Sequence, residues 1–300
     1  MRMNAPYTAP AVAKANGIEL VYDAFGDPKA PPLLLVMGLA CQMLAWDDAF
    51  CALLAARGYR VIRFDNRDIG LSTKFDHAGA PDGRALIARA TLGLPISAPY
   101  LLDDMAADTV GLLDALDIEQ AHIVGASMGG AIAQLVAILH PARLRSLTTI
   151  MSSSGAPGLP RPTMEATAAL LTPTPTEREA YIRRYLRVWK VLRAGNFPLD
   201  DALDAERAAR LHARGVNPPG IARQLAAILA SGSRKAQLAS VRVPTLVIHG
   251  ALDPLIPLPC GVDIARSVPG ARLSVIDEMG HALPVTLWPR IADDIAAHAV

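Results

Sequence analysis

Three residues of different type, far apart along the chain, could together carry out acyl transfer: Ser127, Asp253 and His281. Ser127 lies in Gly125-Ala126-Ser127-Met128-Gly129, a G-x-S-x-G pattern between the strand-like Ile123-Val124 and an apolar run from Ala131 to Ala137. That context predicts a strand, a tight turn and a helix, which lift a serine hydroxyl above a sheet. Gly125 and Gly129, two before and two after the serine, let strand and helix pass closely while the serine takes a strained conformation. The helix is expected to start at Ser127, so that its free amides face any negative charge forming there. A glycine-rich turn with a capping serine would fit the same five positions, so the motif needs partners.

A serine hydroxyl is a weak nucleophile at neutral pH; it needs a base within hydrogen-bond reach, and the base needs a carboxylate to orient it. Asp253 follows the strand-like Pro244–His249, and His281 follows the strand-like Arg272–Ile276. Taken singly, Asp253 before Pro254 could be a turn residue and His281 after Gly280 a surface histidine. The order Ser, Asp, His, with each residue just past a strand, instead predicts a nucleophile–acid–base triad. His249 ends a strand and is expected to face the core or a neighbour, while the other histidines lie away from a late strand end. The oxyanion of an acyl-transfer intermediate also needs two fixed donors. The main-chain amide of Met128 is one; the amide of Leu39, in the loop after the first buried strand, is assigned as the second, with Gly38 turning it inward.

The elements that must hold these residues alternate. Gly17–Phe25 reads as an edge strand, Leu33–Met37 as a buried one, and Trp46–Arg57 as a helix closed by Gly58. Arg60–Phe64 is a further strand, running into Asp65–Ser72, where an Arg67–carboxylate brace is expected. Leu101–Leu116 has helical spacing, with Asp103 or Asp104 as its cap, and Leu147–Met151 is again a strand. Residues 1–15 read as a loose arm rich in Ala and Pro. From Ser152 to about Arg234 the alternation stops: a proline-rich loop precedes helical segments at 177–192, 199–214 and 220–231. It resumes with the strand at 244–249, a helix at 261–267, the strand at 272–276 and a helix at 286–298. This predicts an α/β fold, a mostly parallel sheet flanked by helices. Residues 1–151 and 235–300 would form its core, and 152–234 an inserted all-helical cap. Tyr185 and Trp189, with Tyr181 and Leu186, would line an acyl or alcohol pocket or else pack the insertion onto itself.

Composition narrows the classes. With 29 basic and 28 acidic residues among 300, no bulk charge favours nucleic acid or an anionic surface. Cys41, Cys51 and Cys260 show no C-x-x-C spacing, which argues for a reducing compartment and against a disulfide framework or zinc site. No apolar run reaches the ~18 residues of a membrane span, and residues 1–6 lack a signal-peptide core. A cytoplasmic enzyme without metal or organic cofactor is expected, with homo-oligomerisation left open.

The motif, the triad order and the helical insertion resemble the α/β-hydrolases over residues 17–298. Members commonly carry His-Gly before the oxyanion residue, and here Met37 replaces the histidine. With Gly38–Trp46 and Asp65–Ser72, that feature is similar to the bacterial esterases resembling aclacinomycin methylesterase. In some members the acid follows the strand after the nucleophile; here that place is Met151-Ser152-Ser153-Ser154, which leaves Asp253. The resemblance implies a serine carboxylic-ester hydrolase acting on small short- to medium-chain esters through an acyl-enzyme. Cofactor-free perhydrolases share the triad, carbon–carbon hydrolases and acyltransferases are less favoured relatives, and a slow-turnover ligand receptor is the non-enzymatic alternative. Dehalogenases and epoxide hydrolases use aspartate where Ser127 stands.

Overall fold

The computed structural model describes residues 6–194, 197 and 200–299. Residues 1–5 of the expected arm and Leu199, the first residue of one expected helix, lie outside the described residues. In chain order the elements are β1 (Tyr7–Ala15), β2 (Ile18–Phe25), β3 (Pro32–Val36), α1 (Asp48–Ala55), β4 (Arg60–Phe64), α2 (Gly83–Thr91) and α3 (Leu102–Ala115). Then come β5 (Ala121–Ala126), α4 (Met128–Leu139), β6 (Leu144–Ile150), α5 (Met164–Leu171), α6 (Arg178–Arg193), α7 (Asp201–Ala213) and α8 (Pro218–Ala230). The chain closes with α9 (Lys235–Leu238), β7 (Thr245–Gly250), α10 (Leu258–Ser267), β8 (Arg272–Ile276) and α11 (Trp288–His298).

The strands form one sheet in the order β1-β2-β4-β3-β5-β6-β7-β8. β1 and β2 pair antiparallel, β2 runs antiparallel to β4, and every later pairing is parallel. The apolar runs in the central strands exist because both faces are covered. Along β3, Leu34 and Val36 enter a core shared with α3 and α4, while Leu33 and Leu35 enter the opposite core with α1 and α11. β5 divides in the same way, Ile123 to one face and Val124 and Ala126 to the other.

Several boundaries depart from the sequence reading. Residues 7–15 are the edge strand β1, not a loose arm; Ala13 and Ala15 are buried, and a register shift between Thr8 and Ala11 takes Pro10 out of the ladder. The helix expected at 46–57 is shorter, because Asp47 caps it by accepting from Ala49 N at 2.9 Å. α3 starts after Leu101, whose amide donates to Asp104 at 2.7 Å; Asp104 thus reaches back from inside the helix instead of preceding it, and Asp103 is exposed. The proline-rich loop contains α5, and α2 lies in a stretch with no expected element. α2 matters for the insertion, since Leu86 packs in one buried cluster with Leu225 and Ala226 of α8.

Candidate active site

The G-x-S-x-G motif is built as a collision that only glycine avoids. Ser127 has φ 55° and ψ −119°, and α4 begins at Met128, one residue later than expected, with no side-chain cap from the serine. A conformation this sparsely populated costs on the order of 1–3 kcal/mol and persists only when its surroundings over-determine it. Here Ser127 N donates to Ile150 O at 2.9 Å, and Ser127 O accepts from Gly130 N at 3.0 Å and from Ser152 Oγ at 2.8 Å. A Cβ on Gly125 would stand 2.2 Å from Gly129 O, and one on Gly129 would stand 2.1 Å from Val36 O. The strand and helix therefore touch backbone to backbone, as the motif spacing predicts.

The three separated residues converge. His281 Nε2 lies 3.0 Å from Ser127 Oγ, and His281 Nδ1 lies 2.7 Å from Asp253 Oδ2. With the carboxylate ionised, Nδ1 donates to Asp253 and Nε2 is left to accept from the serine hydroxyl. The other carboxylate oxygen is also committed, Asp253 Oδ1 accepting from Leu255 N at 2.9 Å and Ile256 N at 2.7 Å. Asp253 and His281 are each 5% exposed, so little water competes for these bonds. The histidine loop rests on the inserted helices: His281 N donates to Leu192 O at 2.7 Å, in the last turn of α6. Gly280 is required there, since a Cβ would stand 2.2 Å from Arg193 O. His249 stays with the core as expected; its Nε2 lies 2.7 Å from Ile256 O, and burial lowers its affinity for a second proton.

The amides of Leu39 and Met128 have no acceptor among the described residues, so both are candidate donors to an oxyanion. Gly38 has a different job from the one expected. A Cβ on it would stand 3.0 Å from Ser127 Cβ, so it permits close approach, while the left-handed turn of the loop falls on Ala40 at φ 64°. Where relatives of this fold would carry histidine, Met37 is buried, and its carbonyl accepts from Asn66 Nδ2 at 2.9 Å. Sequence reasoning missed the residues that hold this loop. Gln224 of α8, fully buried, accepts from Ala40 N at 3.1 Å and donates to Arg67 O at 2.8 Å. Gln42 Nε2 donates to Leu211 O at 2.8 Å and Gly215 O at 2.9 Å, and Arg214 reaches Asp65 at 2.9 Å. The available signal was faint: a polar pair, Arg223-Gln224, interrupting the apolar face of α8. The expected Arg67 brace is present, 2.6 Å from Asp108.

Above Ser127 lies a cavity of about 740 Å³. Its floor is the strand-end machinery, with Leu39, Met128 and His281; its roof includes Tyr181, Tyr185 and Trp189 of α6. These three rings follow one another every fourth residue, with centroids 6.4 Å and 5.7 Å apart. Burial pushes the Tyr185 phenol well above its ordinary range and the Cys41 thiol up to about 11. Cys41 is thus a neutral wall group, not a rival nucleophile. Among the described residues, no cluster of three or more His, Cys, Asp or Glu could hold a metal, and no helix is long and apolar enough to cross a membrane.

This sheet, with a strained serine at a strand–helix turn and Asp253 and His281 hydrogen-bonded towards it from later strand ends, defines an α/β-hydrolase. Residues 31–215 match the family model described as the alpha/beta hydrolase fold, and the chain belongs to that family. It is 32% identical to rhodomycin D methylesterase of Streptomyces sp. (strain C5), over 94% of this chain and 95% of the relative. It is 30% identical to 2-hydroxymuconate semialdehyde hydrolase of Pseudomonas sp. (strain CF600), over 93% and 90% of the two chains. A solved hydrolase from Pseudomonas aeruginosa PA01 superposes with a TM-score of 0.67 at 26% identity, covering 99% of this chain and 98% of that one. The chain is accordingly an esterase-type hydrolase of the branch that resembles aclacinomycin methylesterase.

Proposed function

We propose that the chain is a serine carboxylic-ester hydrolase working through an acyl-enzyme on small, short- to medium-chain esters. The observation that carries this reading is the unbroken hydrogen-bond chain from Asp253 through His281 to Ser127. Ser127 attacks the acyl carbon while His281 takes its proton and passes it to the departing alcohol; Asp253 keeps the imidazole oriented. The Leu39 and Met128 amides receive the charge that builds on the carbonyl oxygen. Water then attacks the acyl-enzyme with His281 as base. The helices of residues 152–234 act as a cap, Tyr185 and Trp189 contact the substrate, and the setting is cytoplasmic. The methylesterase relatives support the ester preference.

Hydrolysis of p-nitrophenyl acetate and butyrate by wild type and Ser127→Ala tests the assignment. The variant is expected to lose at least about ten-thousand-fold in kcat, and activity surviving the change removes the serine from its role. The semialdehyde-hydrolase relative supports a second reading, carbon–carbon bond hydrolysis by the same triad. Turnover of 2-hydroxymuconate semialdehyde without turnover of the nitrophenyl esters would favour it.

A further inference from the structure

Six arginines line the cavity (161, 184, 193, 207, 210 and 234), against one carboxylate, Asp47. Three are answered by acids: Arg193 by Asp204 at 2.5 Å, Arg207 by Asp47 at 2.9 Å and Arg210 by Asp48 at 3.2 Å. Arg234 is not. It is 5% exposed, and it donates only to neutral oxygens: Gln134 Oε1 at 3.3 Å, Gly232 O at 3.2 Å and Ser153 O at 2.9 Å. One N–H on each terminal nitrogen is left without an acceptor among the described residues. The exposed Asp103 is felt only at a distance, and burial lowers the guanidinium to about 10, still a cation at neutral pH.

Among the described residues, no other buried guanidinium is left in that condition. Arg63, Arg67 and Arg223 are as deeply buried, and each sits on a buried aspartate, Asp23, Asp108 and Asp68, at 2.6–2.7 Å. Removing a charge from water without a counter-charge is costly, so an isolated one facing a cavity implies that the occupant supplies the anion. The position suits a substrate group. Arg234 meets Gln134, whose amide is 3.5 Å from Ser152 Oγ, and that hydroxyl bonds the Ser127 carbonyl. Gly155 keeps one side of the guanidinium uncovered, since a Cβ there would come within 3.4 Å of its Nη2. Arg184, half-buried and bonded to Thr172 O, adds to the positive field without a carboxylate partner among the described residues.

We propose that the cavity takes esters carrying a second, negatively charged group, a carboxylate, and that Arg234 provides its counter-charge. The inference rests on the serine-hydrolase reading above and names the substrate class of that site. Its test is methanol release from monomethyl esters of malonate through adipate, compared with the corresponding dimethyl esters, by wild type, Arg234→Gln and Arg234→Lys. In wild type at least one hemiester should exceed its diester in kcat/KM by about tenfold or more, the length of that acid reporting the distance from Ser127 to Arg234. Arg234→Gln keeps hydrogen-bonding capacity and removes the charge; it should lower the hemiester-to-diester ratio about tenfold, and Arg234→Lys should recover part of it. If the Gln variant fails to fold, the wild-type ratio and the Lys variant decide. No preferred hemiester at any length, or an equal fall for both ester types, overturns the proposal. Failure of wild type to hydrolyse any of these esters or p-nitrophenyl acetate would instead count against the serine-hydrolase reading.

Discussion

The floor and the roof of the cavity are made by different means. The floor is backbone pressed on backbone: Gly125, Gly129 and Gly250 each face a carbonyl oxygen at which a Cβ would stand only 2.1–2.2 Å away. The roof is made of side chains on amphipathic helices, with the partly buried rings of Tyr181, Tyr185 and Trp189 in contact with one another and arginines that differ in whether an acid answers them. Close-packed backbone has one arrangement and transmits any displacement to the serine, so in the proposed reading the floor fixes what reaction occurs. Side chains on a helix face can be exchanged one at a time without moving the backbone, so in the proposed reading the roof selects which molecule is presented.

That contrast predicts a division in kinetics, and the strongest test lies in the floor. Gly129→Ala would drive a Cβ to 2.1 Å from Val36 O; the expected outcome is loss of folded, active protein, read as a fall in thermal midpoint of about 10 °C or more with esterase activity. A variant that folds and turns over normally would show the elbow to be softer than its contacts imply. Gln224→Leu should break the division, because this roof residue holds the Leu39–Ala40 loop, the proposed source of an oxyanion donor. It is expected to lower kcat about tenfold while KM moves less than about threefold, since misplaced donors weaken binding of the transition state in particular. An effect confined to KM would return Gln224 to the roof class. Tyr185→Ala, by contrast, should raise KM about three- to tenfold with kcat largely retained, the signature of binding common to ground and transition states.

The smallest expected effect concerns the floor's stability. Burial first, then the charges of Arg145 and His298, lower His122 of β5 from 6.5 to about 4, so the folded state holds it neutral where the unfolded chain would take up a proton. Unfolding then binds protons between these two values, and stability should fall as pH drops from about 6.5 towards 4. His249 and His298 are pushed the same way by burial and add to the slope. His122→Asn should flatten, without abolishing, the dependence of urea midpoint on pH across that window. An unchanged slope would mean that the imidazole is not kept neutral by the fold.

How much of this was readable beforehand follows the same line between floor and roof. The strands announce themselves because both faces are buried, and the meeting of Ser127, Asp253 and His281 is legible because parallel strands deliver their ends to one edge. β1 hid because its pairing is main-chain work done by an Ala- and Pro-rich segment with little strand character of its own. Gly38 was read as a turn residue when its smallness serves Ser127; a sequence shows that a side chain is missing but not what would have struck it. Gln224 offered only the faint signal of a polar pair on an apolar helix face, and Arg234 offered none. Each acquires meaning only from a partner far away in sequence, Ala40 for one and Gln134 for the other.

The bond between His281 N and the carbonyl of Leu192 has a consequence for traffic into the cavity. The end of α6 is the ledge on which the His281 loop stands, so swinging that helix away like a door would unseat the ring with every passage. Entry and exit are better served where the roof is not anchored to the floor's machinery, leaving the ledge still while substrates come and go.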